Sequence, residues 1–170
     1  QMPVNPLIFN PTTPSLHKSG KQSIVLDAGH GGADTGAIGG GIYEKNITLD
    51  VARRVEKILK QKGYDVKMTR TDDSTVSLQE RVDISEDYNP DIFVSIHVNS
   101  SVKPEINGIE THYYHQESLA LAQTVHSSFA SAIQTNDRGL FKSKFYVINH
   151  TTAPAILIEI GFISNTSERG

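Results

Sequence analysis

The chain has 170 residues, of which 37% are hydrophobic and 21% charged, a balance that fits one globular domain without bulk disorder. Its formal net charge of -3 argues against nucleic acid or an anionic membrane as the main partner, and no apolar run approaches the roughly 18 residues of a membrane span. Cysteine is absent, which excludes disulfides, cysteine nucleophiles and Cys-based zinc sites, so a metal site must draw on the seven histidines and on Asp and Glu.

Residues 1–21 stand apart in composition. Pro3, Pro6, Pro11 and Pro14 favour extended, polyproline-like chain. This block reads as a linker, tethered to an upstream targeting domain, ahead of a single domain over 22–170. Ser23–Asp27 is a short apolar run, a predicted buried strand. It empties into Ala28–Ile42, where seven of fifteen residues are glycine. Ile47, Val51, Val55, Ile58 and Leu59 recur at helical spacing, with Gly63 placed to end that helix. Tyr64, Val66 and Met68 alternate as a second strand. Ser77 and Glu80 form a capping box ahead of a helix that Asn89-Pro90 stops. Strands are predicted over Asp91–His97 and Gly108–Tyr114. Leu119, Ala122, Val125, Phe129 and Ile133 mark another helix. Phe145–Ile148 reads as a short strand and Ala155–Ile160 as a last, strongly apolar one. Strands alternating with helices predict an α/β domain around a largely parallel or mixed sheet.

The polar residues that interrupt this pattern fall in related places. His30 lies just past the first strand, His97 closes the third, and Glu159 sits near the end of the last. Glu44 opens the first helix, directly after the glycine loop. In open α/β sheets, ligands bind outside the carboxyl ends of the strands. A lone histidine after a strand is most often a satisfied turn residue, and Glu44 suits the positive end of a helix dipole. Glu159 resists such a reading. It sits among Ile156, Leu157, Ile158, Ile160 and Phe162, where an unpaired carboxylate costs several kcal/mol. Two histidines and a carboxylate are a known ligand set for catalytic zinc, with a fourth position left to water. A further carboxylate can act as the base. His30, Glu44 and His97 can serve as ligands and Glu159 as base, and the glycines around His30 let backbone and substrate approach closely.

Rival motifs fit less well. Asp34 stands where a dinucleotide loop needs its third glycine, and there is no HExxH, P-loop or GxSxG signature. His112, His115, His126 and His150 read as surface or packing residues, and Arg70 and Arg81 as ion-pair partners.

The segments IVLDAGHGGADTGAIG, YEKNITLDVA, VKMTRTDDSTVSLQERV, DIFVSIHVNS, GIETHYY and PAILIEIGFISN occur in this order from Ser23 to Asn165. Together they resemble the catalytic domain of the zinc-dependent N-acetylmuramoyl-L-alanine amidases, of the Amidase_3 type. The resemblance implies an α/β fold with a mixed, roughly six-stranded sheet flanked by helices. It implies hydrolysis of the amide between the lactyl group of N-acetylmuramic acid and the L-alanine of the stem peptide. It also implies one Zn2+ per chain, with His30, Glu44 and His97 matching the family's ligands and Glu159 its catalytic glutamate. A peptidoglycan substrate, a monomeric state and a cell-envelope location, periplasmic or extracellular, follow from the same likeness.

Three departures stand out. Ser85-Glu86 replace the family's Ala-Asn, a packing difference. The family's closing helix after Asn165 is expected to be truncated. Only Tyr114–Glu117 separate the GIETHYY strand from the next helix, so an inhibitory insertion carried by some relatives is expected to be absent and the site open without an activator. From ligand spacing alone, a zinc peptidase or deacetylase acting on another amide remains an alternative, as does an inactive wall-binding module.

Overall fold

A computed structural model describes residues 20–170. The proline-rich block over 1–21 lies almost wholly outside the described residues. In chain order the elements are β1 (Ser23–Ala28), a short hairpin of β2 (Ile38–Gly39) and β3 (Ile42–Tyr43), α1 (Glu44–Gln61), β4 (Asp65–Met68), α2 (Leu78–Tyr88), β5 (Ile92–Asn99), β6 (Ile109–Tyr113), α3 (Leu119–Ala132), β7 (Asp137–Lys142), α4 (Tyr146–His150), β8 (Ala155–Phe162) and α5 (Thr166–Arg169).

Six strands form one sheet in the order β4-β1-β5-β8-β6-β7. β4, β1, β5 and β8 run parallel, β6 is antiparallel to β8, and β7 is parallel to β6. This is the single α/β domain with a mixed six-stranded sheet that the sequence predicts. Strands β1, β5 and β8 are buried on both faces, which is why they read as continuous apolar runs. One face packs Val25, Phe93, Ala155 and Leu157 against Val82 of α2 and Val147 and Ile148 of α4. The other packs Ile24, Leu26 and Ile96 against Ala52, Val51, Val55 and Leu59 of α1.

The local signals act as their chemistry requires. Ser77 Oγ accepts from the Glu80 amide at 3.1 Å, and Glu80 Oε2 accepts from the Ser77 amide at 2.7 Å, closing the capping box of α2. Asn89 ends that helix in the left-handed region at φ 51°. Along α1 the buried face runs through Glu44, Thr48 and Ala52, while Ile58 points outward.

One expectation is corrected and one element is added. Phe145–Ile148 is not a strand, because Tyr146–His150 forms the short helix α4, with the Tyr146 and His150 rings stacked at 4.0 Å across one turn. A four-residue apolar run carries no period that separates strand from helix. Conversely, Asp137–Lys142 is an edge strand that the sequence reading passes over. It is mostly exposed and carries little apolar alternation.

Candidate metal centre

The carboxyl ends of β1, β5 and β8 lie side by side and carry the site. β1 delivers the chain into the glycine loop, where His30 takes φ 64°, an uncommon conformation for a residue with a Cβ. The turn is held from both sides. Arg81 Nη2 donates to the His30 carbonyl at 2.8 Å, and Asp34 Oδ2 faces His30 Nδ1 at 2.8 Å. The second contact leaves Nε2 as the histidine's inward atom. Glu44, the first residue of α1, brings Oε1 to 3.1 Å from His30 Nε2 and also to 3.1 Å from His97 Nδ1 on β5. Backbone amides fix that carboxylate: Val98 N donates to Oε1 at 2.9 Å and Ala37 N to Oε2 at 2.8 Å.

Ligand atoms of His30, Glu44 and His97 thus lie within 4.8 Å of one another. Two nitrogens converging on one carboxylate oxygen is the donor set that suits zinc. Two glycines make the convergence possible. A Cβ at Gly29 would stand 2.4 Å from the His97 ring, and one at Gly36 2.6 Å from both Glu44 Oε2 and the His30 ring. A carboxylate behind an imidazole, as Asp34 is placed behind His30, fixes the ring and raises its basicity.

Electrostatics follow the packing. Burial pushes the Glu44 carboxyl up, but hydrogen bonds from His30, His97 and the Ala37 and Val98 amides outweigh it and hold Glu44 well below the usual carboxylate range. Burial lowers His30, yet Glu44 and Asp34 raise it further, so its net shift is upward.

Glu159 stands beside His97, its registered neighbour across β5 and β8. Its Oε2 is buried and has no hydrogen-bond partner among the described residues. Burial pushes its carboxyl up to about 7, with the Glu44 and Glu110 carboxylates adding to the rise and His97 and His30 opposing it. The structure therefore brings together all four residues singled out in the sequence.

Other residues of the region were not legible as site components. Asp27 is buried under the His30 loop and accepts from Thr69 Oγ1 and Arg81 Nη1, both at 2.7 Å, and from Ser95 Oγ at 2.6 Å. Arg81 is an ion-pair partner as expected. Arg70 instead holds the carbonyls of Ala28, Gly29, Lys45 and Asp72. His112 and His126 are buried and paired, with Glu110 and Ser143 and with Thr111 and Asp137 respectively. His115 Nε2 and His150 Nδ1 donate to the backbone carbonyls of Asn149 and Tyr146, away from the cluster. An apolar groove of about 520 Å³ lies between α1 and α3, but no titratable group lines it, so it offers no chemistry.

Comparison with known proteins agrees with this geometry. The family model described as N-acetylmuramoyl-L-alanine amidase, Amidase_3, matches residues 24–170. The chain belongs to this family. Among curated relatives it is 42% identical to YqiI of Bacillus subtilis, with 86% of this chain and 73% of that protein covered. It is 38% identical to the N-acetylmuramoyl-L-alanine amidase LytC of Bacillus subtilis, with 86% of this chain aligned to only 30% of that protein. Among solved structures, the catalytic domain of the amidase CwlV from Bacillus (Paenibacillus) polymyxa var. colistinus superposes with a TM-score of 0.84 at 44% identity, covering 86% of this chain and 83% of that one. Among the described residues, no helix of this amidase-family domain is long and apolar enough to cross a membrane.

Proposed function

We propose that this domain is a peptidoglycan hydrolase that cleaves the amide between the lactyl group of N-acetylmuramic acid and the L-alanine of the stem peptide. The observation that carries the reading is Glu159, a half-buried carboxylate with one buried, unpartnered oxygen, beside three converging donors. Family membership supplies the bond, and the site supplies a means of breaking it.

His30, Glu44 and His97 would hold one Zn2+. Zinc at such a site polarises the scissile carbonyl and makes water nucleophilic at neutral pH. Glu159 takes the proton from the attacking water and returns it to the nitrogen of L-alanine as that nitrogen leaves. A carboxyl raised to about 7 is matched to both halves of this task. Nearby positive charge favours the ionised form needed for the first half. Asp34 and the Val98 and Ala37 amides keep the His30 and Glu44 donors aimed while the proton moves. The substrate places the domain at the cell envelope.

The test uses purified peptidoglycan and the purified chain. Stem peptides bearing a free L-alanine amine should be released, release should stop with a chelator, and added zinc should restore it. Equal release with and without chelator removes the zinc assignment. Release of sugars or of shortened peptides in place of intact stems removes the amidase assignment.

A further inference from the structure

The site continues sideways across the sheet. His97 of β5 is registered with Glu159 of β8, and Glu159 with Glu110 of β6. Registered neighbours share a face, so the three form one row along the rim of the sheet. Arg138 of β7 completes the row, with Nε donating to Glu110 Oε1 at 2.8 Å. Glu110 is 7% exposed and also accepts from His112 Nε2 at 2.9 Å and Asn99 Nδ2 at 3.2 Å, so it is a fixed brace. Arg138 is gripped a second time, because its guanidinium carbon lies 5.2 Å from the centre of the Phe162 ring on β8. The side chain therefore leans from the edge strand back towards β8, over Phe162.

Its two terminal nitrogens make no hydrogen bond among the described residues, and the side chain is 37% exposed. Other cations of the region are committed elsewhere. Lys45 holds Asp73 and the Gly32 carbonyl, and Arg169 the Ile163 carbonyl. An arginine clamped on one edge and one face, with a free fork of donors, is preorganised for a carboxylate.

We infer that Arg138 is a specificity-determining residue that receives the first carboxylate of the stem peptide, on the acidic residue that follows L-alanine. The inference rests on the amidase reading above. The reach is right. β7 lies two strand spacings, about 10 Å, from β8, and Arg138 leans back over part of that gap. Two extended residues beyond the scissile bond span up to about 7 Å. In peptidoglycans where this carboxylate is amidated, the charge is absent and the fork loses its partner.

Two synthetic muramoyl dipeptides that differ only in carboxylate against carboxamide at this position provide the test. The wild type should favour the carboxylate about 10- to 100-fold in kcat/KM, expressed in KM. Arg138→Gln should erase the preference, bringing kcat/KM for the carboxylate peptide down to that for the carboxamide peptide, with zinc content unchanged. In a Glu159→Gln background, the Kd values of the same pair should differ by the same factor. A wild type that treats both peptides alike overturns the inference without any variant being made. A loss of equal size on both peptides in Arg138→Gln also overturns it, since that is the signature of a brace for Glu110 alone. A wild type that cleaves neither peptide, nor peptidoglycan, removes the amidase reading and this inference together.

Discussion

Asp27, which is buried, and Glu159, which is half-buried with one oxygen sealed inside, are two carboxylates on the same face of one sheet, and they are treated in opposite ways. Asp27 is 1% exposed and has three donors, from Thr69, Arg81 and Ser95. Burial alone would raise its carboxyl, but Arg81 and the hydroxyls outweigh that, and the net shift is downward. Glu159 keeps one oxygen without a partner, and burial raises it to about 7. The first carboxylate is a finished structural joint that ties β1 to α2 beneath the His30 loop. The second is left unsatisfied, and an unsatisfied buried group in a native fold points to work done there.

Replacing each carboxylate by its amide separates the two roles. Glu159→Gln should lower the rate of stem-peptide release by about 10²–10⁴-fold, the scale of general acid–base catalysis, with zinc content unchanged. Loss of zinc in this variant would make Glu159 a ligand and require another role for Glu44. Asp27→Asn should instead cost about 3–5 kcal/mol of stability, because it strands the Arg81 guanidinium in the interior. Denaturant midpoints read the difference. A small loss in Asp27→Asn would mean that the carbonyls of Val76, Ala28 and His30 suffice for Arg81.

The opposite shifts also give opposite pH dependences in metal-free protein. For Asp27 the folded pKa is depressed, so its contribution is complete above the ordinary value of 3.8 and is lost as pH falls below it. For Glu159 the folded pKa is raised from 4.5 to about 7, so the native state binds the extra proton between those values. Stability therefore declines as pH rises from about 4.5 to about 7, by roughly 3 kcal/mol if the shift is fully expressed. Glu159→Gln should match the wild type near pH 4 and exceed it at pH 8, whereas the Asp27→Asn deficit should shrink in acid. Parallel stability curves for wild type and Glu159→Gln would show that Glu159 is not desolvated in solution.

What could be read in the sequence follows from the range of the interactions. His30, Glu44, His97 and Glu159 each interrupt a local pattern, a glycine loop or an apolar strand, and strand-end placement groups them without knowledge of contacts. Asp27 also ends an apolar run, but its partner Arg81 lies 54 residues away, and nothing local marks the pair. Asp34 reads only as a failed glycine in a dinucleotide loop, because its contact with His30 depends on the left-handed turn at that residue. Arg138 sits on an edge strand whose exposure removes the alternation that would have revealed it. The structure adds the joints and braces that hold the four residues in position.

Ser85 provides the smallest and sharpest contrast. Its Oγ is the other buried side-chain atom, with Glu159 Oε2, that lacks a partner among the described residues, and the residue is 1% exposed. Unlike Glu159 it lies within α2, on the helix face turned to the sheet, and carries no titratable group. An unpartnered hydroxyl there costs desolvation free energy without a chemical return. Serine is also a weaker helix former than alanine by a few tenths of a kcal/mol. Ser85→Ala should therefore raise stability by about 1 kcal/mol and leave stem-peptide release unchanged. A destabilised Ser85→Ala would show that the hydroxyl is satisfied in solution, and the absence of a visible partner would then be weaker evidence at Glu159 too. A stabilised variant with full activity would show that an unsatisfied buried oxygen becomes a reactive site only where donors and charges converge on it.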